Sequence, residues 1–226
     1  MIDIWESAEK SAEYALAAIR DHPGRIPLLM GMMALFPLMM GYTARIYRGE
    51  PQPPDLSSPY GLFIDGIRLT IVQFIYSAPV IGAILLITSR QSRLMDLITH
   101  ADRGLLFSPV GAVFFLLLGV VLLYAVVILI SMIGLIRTAR SRRIRDGFAF
   151  REITTHIRAI GSVPYISAVA FYTVVSLLLS LPAGYLIELT PIGYIPAFFI
   201  YVVITLFAAR YFTLIYESGL PRRTVG

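Results

Sequence analysis

Five long runs without a charged side chain constrain what this chain can fold into. They cover residues 26–43, 69–88, 105–136, 159–187 and 189–209. The core of a soluble domain cannot hide five such runs, whereas a bilayer accepts each stretch of about 20 apolar residues as a spanning helix. Only 15% of the residues are charged, well below the roughly 25% of soluble domains. We therefore predict an all-α, polytopic transmembrane helical bundle with four to five membrane segments.

An amphipathic helix is predicted ahead of the first run. Its apolar residues recur at helical spacing, and its acidic residues occupy other faces; the apolar set is Trp5, Ala8, Ala12, Ala15, Leu16 and Ile19. Because the polar face is acidic on balance, we expect the helix to lie in the membrane interface or against the protein's own bundle. Acidic residues stand where a secretory signal would carry positive charge, so no cleavable signal is apparent.

This pattern predicts three parts. Residues 1–25 form the amphipathic interfacial helix, residues 26–216 a single integral membrane helical domain, and residues 217–226 a short cytoplasmic tail.

The distribution of arginine predicts the orientation. Seven arginines lie in the segment "RTARSRRIRDGFAFREITTHIR" at 137–158, and positive residues collect on the cytoplasmic side of membrane proteins. If residues 26–43 span the membrane, 13 positive residues face the cytoplasm and 6 face outside, with the N-terminus outside. If these residues enter and return as a hairpin, the division is 16 to 3, with both termini inside. Both arrangements place the 137–158 loop and the C-terminus in the cytoplasm of a multi-pass cell-membrane protein.

Motifs for catalysis or metal binding are missing. The chain has no cysteine, and the uncharged runs hold no ionisable residue that could relay protons. Glu152 and His156 are four residues apart, but a helical zinc site needs a second histidine beside the glutamate. Gly-x-Ser-x-Gly and glycine-rich phosphate loops are also absent from the sequence. We expect no catalytic, cofactor-binding or metal-binding residue, and no enzyme activity.

Arginines next to the apolar runs are the candidate docking residues. A cationic side chain near an anionic leaflet contributes about 1 kcal/mol, so simple topology anchoring and specific docking are both open. The candidates for lipid or partner docking are Arg45, Arg48, Arg137, Arg140, Arg142, Arg143 and Arg145. We expect membrane lipids as partners, with a membrane or cytoplasmic protein as a further one, and no nucleic acid. The sequence does not predict the oligomeric state.

Two functions compete at this point. The first is a non-enzymatic scaffold, assembly factor or subunit with a basic cytoplasmic face, whose buried polar groups hydrogen-bond between helices. The second is a small permease or channel-like carrier, because prolines and glycines interrupt several runs. A carrier predicts a polar, water-accessible cavity around Gln73, Tyr76, Tyr172 and Ser176.

Three stretches carry a resemblance to a known family. They are "GYTARIYRGEPQPPDLSSPYGLFIDGIR" after the first run, "DGFAFREI" before the fourth, and "ARYFTLIYESGL" at the end. Their order resembles the prokaryotic, largely archaeal, integral membrane family called domain of unknown function 4013. The resemblance implies a compact polytopic helical protein without an assigned activity, so it transfers no functional residue. It marks a candidate signature loop, whose residues are Gly41, Tyr42, Asp65, Gly66 and Arg68.

Overall fold

The computed structural model describes residues 3–21, 23–56, 58–90, 92, 109–189 and 191–221. Almost all of these residues are α-helical, and the described part of the chain contains no β-strand. We number the helices in chain order. They are α1 (Ile4–Arg20), α2 (Ile26–Ala34), α3 (Phe36–Tyr47), α4 (Pro59–Ser89), α5 (Pro109–Ser141), α6 (Phe150–Ile160), α7 (Ser162–Leu189) and α8 (Tyr194–Ser218).

Four of these helices are long and apolar enough to cross a membrane. The qualifying segments are Pro59–Ser89, Val113–Ser141, Ser162–Leu189 and Tyr194–Ser218. In hydrocarbon, a helix satisfies all its backbone hydrogen bonds internally, which is why apolar runs of this length fold this way. The predicted all-α helical bundle is confirmed. Its third run begins partly outside the described residues, at 105–108.

The first apolar run forms two short helices instead of one. Helices α2 and α3 have nine and twelve residues, and the chain bends by 118° between them. Leu35 stands at the break, followed by Phe36 and Pro37 in the first turn of α3. At about 1.5 Å per residue, a pair bent this far advances only about 17 Å end to end. That distance is well short of the roughly 30 Å hydrocarbon layer.

Contacts between Cα atoms divide the chain into two units. The first comprises Met1–Val72 and Met132–Gly226, and α8 is its central helix, packed against α1, α2, α3 and α7. Fully buried side chains of α8 include Leu206, Tyr211, Phe212 and Ile215. The second unit, Gln73–Ser131, holds the end of α4 and most of α5, and its large apolar side chains are mostly exposed. Such a surface is expected where lipid is the solvent.

Helix α1 packs on α8 through small residues. The side chain of Asp3 caps α1 by accepting a hydrogen bond from the backbone N–H of Glu6 at 3.0 Å. The residues that α1 buries are Ala8, Ser11, Tyr14, Ala15 and Ala18. Of the predicted apolar residues, Ala8 and Ala15 are buried, whereas Trp5 is 76% exposed and Leu16 is 61% exposed. Small side chains let two helix backbones approach closely, whereas a bulky aromatic residue also suits a membrane interface.

Candidate functional site

Two arginines at the C-terminal ends of α3 and α5 each donate a hydrogen bond to a backbone carbonyl of the other helix. Nε of Arg48 donates to the carbonyl oxygen of Ala139 at 3.0 Å. In return, Nε of Arg140 donates to the carbonyl oxygen of Tyr47 at 2.8 Å. The last carbonyls of a helix lack partners inside the helix and carry partial negative charge. Each guanidinium therefore caps the C-terminal end of the other helix.

Each of these arginines also pairs with a carboxylate from a third helix. Arg48 contacts Asp65 of α4 at 2.5 Å, and Arg68 contacts the other oxygen of the same carboxylate at 3.1 Å. Arg140 contacts Glu217 of α8 at 2.6 Å. The side chain of Asp65 is only 13% exposed, so its two guanidinium partners offset the cost of removing its charge from water. We call this set of five residues the arginine clasp: Arg48, Arg68, Arg140, Asp65 and Glu217.

Two glycines of the signature loop bring α3 against α4. A Cβ on Gly41 would lie 1.8 Å from the carbonyl oxygen of Leu62, and a Cβ on Gly66 would lie 1.6 Å from that of Pro37. Neither site has room for a side chain. The two backbones pack directly, and this contact holds Asp65 in line with Arg48.

Tyr42 and Gly49 support the same junction. Tyr42 of α3 is buried in the core at 1% exposure. Gly49 has a positive φ of 92°, and a Cβ there would lie 2.5 Å from Oε1 of Glu217. Glycine adopts this left-handed conformation without steric cost. The chain can therefore turn out of α3 directly over the pair formed by Arg140 and Glu217.

His156 joins α6 to the end of α8. Its ring stacks on Tyr216 with centroids 4.0 Å apart, and Nε2 lies 2.9 Å from the Tyr216 carbonyl oxygen. A carbonyl oxygen only accepts, so Nε2 is the donor. Burial lowers the pKa of His156, as do the nearby Arg137 and Arg140, while the contact with the Tyr216 carbonyl opposes this shift. These effects favour a neutral ring that stays in the stack.

The arginines of the 137–158 loop fall into two groups. Arg137 and Arg140 turn inward, since Arg137 forms an ion pair with Glu152 and contacts the carbonyl oxygen of Asp146 at 3.3 Å. By contrast, Arg142, Arg143 and Arg145 are exposed, and none of them forms an ion pair with a described residue. We call these three residues together with Arg151, also exposed, the outer arginines.

Arg45 hydrogen-bonds to the connector between α3 and α4. It donates to the carbonyl oxygens of Asp55 and of Ser58, the latter at 3.3 Å. Of the seven arginines predicted for docking, four are therefore engaged inside the protein: Arg45, Arg48, Arg137 and Arg140. Three are left facing outward.

Residues that precede α2 lie close to residues that follow α3. The hydroxyl of Tyr14 lies 3.3 Å from the carbonyl oxygen of Gln52, and Arg25 lies 3.8 Å from Asp55. Arg210 of α8 contacts the carbonyl oxygen of Glu50 at 3.2 Å. The chain before α2 and the chain after α3 therefore meet, so α2 and α3 leave and return at one end of this unit. That geometry matches the hairpin alternative.

Some polar side chains of the long helices bond to their own helix, whereas Tyr211 and Thr213 of α8 bond to carbonyl oxygens of other helices, those of Ala168 and Ile46. Ser131 contacts the carbonyl oxygen of Ile128 at 3.2 Å, and Ser176 that of Thr173 at 3.1 Å. Gln73 donates to Ser77, four residues along the same helix, at 3.2 Å. The expectation of hydrogen bonds between helices is wrong for Ser131, Ser176 and Gln73. Tyr172 packs edge-on against Phe212, with ring centroids 4.8 Å apart.

Glu152 and His156 face different partners, Arg137 and Tyr216. Within the residues that the structure describes, no cluster of three His, Cys, Asp or Glu side chains could hold a metal ion.

Glu217 and Tyr216 are the site residues that sequence reasoning missed. Both lie in "ARYFTLIYESGL", where a tyrosine and a charge beside a glycine also follow from membrane interfaces in general. Only the fold brings them to Arg140 and His156.

Comparison with known proteins identifies the family. The model of the family described as protein of unknown function (DUF4013) matches residues 26–188, which is 163 of the 226 residues. No curated protein and no solved structure matches the chain. The match contains four of the five residues of the arginine clasp and all the outer arginines, but it ends before α8 and Glu217. The chain therefore belongs to the family of proteins of unknown function DUF4013.

Proposed function

We propose that this protein is a non-enzymatic integral membrane protein that binds anionic lipid at the cytoplasmic face of the cell membrane. It serves there as a scaffold, an assembly factor or a subunit of a larger complex. The observation that carries the proposal is the division of the loop arginines: Arg140 belongs to the clasp and Arg137 pairs with Glu152, whereas the outer arginines stay exposed.

The position of the outer arginines suits a lipid surface. They follow the end of α5 and begin α6, whose Phe150 is 54% exposed. A helix that presents arginines beside an exposed aromatic residue lies well in the headgroup layer, with the ring below the charges. Attraction between arginine and an anionic leaflet supplies about 1 kcal/mol for each charge.

The hairpin supports the cytoplasmic assignment. If α2 and α3 enter and leave the membrane on the same side, 16 positive residues lie on the cytoplasmic side and 3 lie outside. Both termini are then on the same side as the 137–158 loop. The clasp supports the same arrangement, because it gathers the ends of α3, α5 and α8 with the beginning of α4.

The function is tested by the lipids that remain with the protein. The full chain is placed in nanodiscs of mixed dioleoyl phosphatidylglycerol and dioleoyl phosphatidylcholine, and the lipids next to the protein are quantified. The triple variant R143Q/R145Q/R151Q loses three exposed charges, so we expect the enrichment of phosphatidylglycerol to fall about fivefold for each lost arginine contact.

The control variant is R143K/R145K/R151K. It keeps the charge and changes only the shape of the cation, so we expect enrichment close to that of the wild type. Equal enrichment in the wild type and in R143Q/R145Q/R151Q overturns the proposal.

A further inference from the structure

We infer that the cavity between the end of α3, the connector and the start of α4 binds the headgroup of one anionic phospholipid through its phosphodiester. This inference rests on the proposed function and deepens it, because it assigns one stoichiometric lipid site within a surface that attracts anionic lipid generally. The outer arginines other than Arg142 are not part of this site.

The cavity has the size and the chemistry of a headgroup site. Its volume is about 560 Å³, within the range of about 300–1,000 Å³ for small-molecule sites. Four guanidinium groups line it. They belong to Arg45, Arg48, Arg68 and Arg142.

The charges around the cavity leave one positive charge unbalanced. Three carboxylates face the four guanidinium groups, those of Glu50, Asp55 and Asp65. Asp65 already holds two of the arginines, and Arg142 forms no ion pair with a described residue. A ligand with a single negative charge balances the side chains that line the cavity, while Arg25 pairs with Asp55 from outside it. A phosphodiester has that charge, and its oxygens accept the paired N–H donors of a guanidinium.

An apolar track starts at the cavity and favours a lipid over free phosphate. Tyr60 lines the cavity and is 78% exposed. Phe63 and Ile71 of the same helix are 43% and 40% exposed. At about 100° per residue these three side chains lie within about 80° of one another around α4. Because α4 is a candidate span, an acyl chain can follow this stripe while its phosphate stays with the arginines.

Native mass spectrometry of the full chain in mild detergent tests the site. Dioleoyl phosphatidylglycerol is titrated, with dioleoyl phosphatidylcholine as the zwitterionic comparison. We expect one phosphatidylglycerol to bind saturably to the wild type. The variant R142Q should weaken this binding about tenfold, since a hydrogen bond to a charged group is lost. A second variant, R68Q, should weaken it as well.

The matched control is R143Q. Arg143 is the next residue, is also exposed, and does not line the cavity, so its replacement should leave the stoichiometric site intact. If R143Q weakens binding as much as R142Q, or if no saturable phosphatidylglycerol is seen, the cavity site is wrong and the general attraction of the outer arginines explains the binding.

Competition separates the two sources of phosphate. Glycerophosphoglycerol presents the same phosphodiester without acyl chains, and inorganic phosphate presents a phosphate anion alone, so neither should displace the lipid at equal concentration. Displacement by either overturns the assignment to a lipid. The two proposals can fail separately. If one phosphatidylglycerol binds saturably but R143Q/R145Q/R151Q leaves the nanodisc enrichment unchanged, the cavity site is supported and the broader proposed function is contradicted.

Discussion

Arg48 and Arg140 each cap the helix that carries the other. Arg48 reaches the carbonyl oxygen of Ala139 at 3.0 Å, and Arg140 reaches that of Tyr47 at 2.8 Å. The acceptor residues immediately precede the donors in the chain, so the two helix ends are locked by one reciprocal contact. Losing either side chain removes two interactions at once, one with a backbone carbonyl and one with a carboxylate.

Replacing a clasp arginine should destabilise the protein. In R48Q, Asp65 keeps only Arg68, and the Ala139 carbonyl loses its partner. We expect a loss of about 2–3 kcal/mol in the free energy of unfolding, measured by thermal denaturation in detergent. R140Q should behave similarly, and the double variant should cost less than the sum because the contacts are coupled. The control R143Q should change stability by less than about 0.5 kcal/mol; an equal loss there would mean that the clasp has no special role.

Alanine at the glycine contacts should separate α3 from α4. A Cβ at position 41 or 66 falls within 1.8 Å of a backbone carbonyl oxygen, and backbone cannot move aside without shifting a helix. We expect G41A and G66A each to lower the free energy of unfolding by about 3 kcal/mol or more.

The matched control for these variants is G31A. Gly31 lies in α2, and a Cβ added there would meet no atom of a neighbouring element within 4 Å. Alanine at this position should therefore be neutral or slightly stabilising. If G41A retains wild-type stability, the close approach of the two helices is not what holds them.

Acid should weaken the junction between α6 and α8. The pKa of His156 is lowered from about 6.5 chiefly by burial, so below that pH the unfolded chain takes up a proton before the folded protein does. Stability therefore falls as the pH drops through about 6.5 toward the lowered pKa, and it is fully present above about 6.5. H156Q keeps a donor for the Tyr216 carbonyl and should reduce this dependence. The measurement is the Tm of both proteins from about pH 7.5 to about pH 5; identical pH profiles would contradict the assignment.

The sequence predicted the helical bundle because lipid imposes a strong rule. Each long apolar run has to become a helix, and four of the runs did. The limits of the helices were harder to predict, as α4 shows. It begins at Pro59, before the apolar run, because the charge of Asp65 is neutralised by Arg68 of the same helix and by Arg48, which lies elsewhere in the chain.

The roles of the arginines could not be read from the sequence for the same reason. Arg140 pairs with Glu217 at a separation of 77 residues, and Arg48 contacts Ala139 at a separation of 91. Local spacing says nothing about contacts of this range, so all seven candidates looked equally available. The glycines of the signature loop, Gly41 and Gly66, act through backbone contact, which leaves no pattern in the sequence beyond the presence of glycine.

The orientation of the chain is the central claim, because both the hairpin and the arginine face depend on it. The protein has no native cysteine, so single cysteines placed at exposed positions report the side of the membrane without background. E9C lies ahead of the hairpin, S141C lies at the end of α5, and I192C lies between α7 and α8. With a membrane-impermeant maleimide added to intact cells, we expect labelling of I192C alone, with E9C and S141C labelled only after lysis. Labelling of E9C in intact cells while S141C stays protected would contradict the hairpin and show that residues 26–47 cross the membrane.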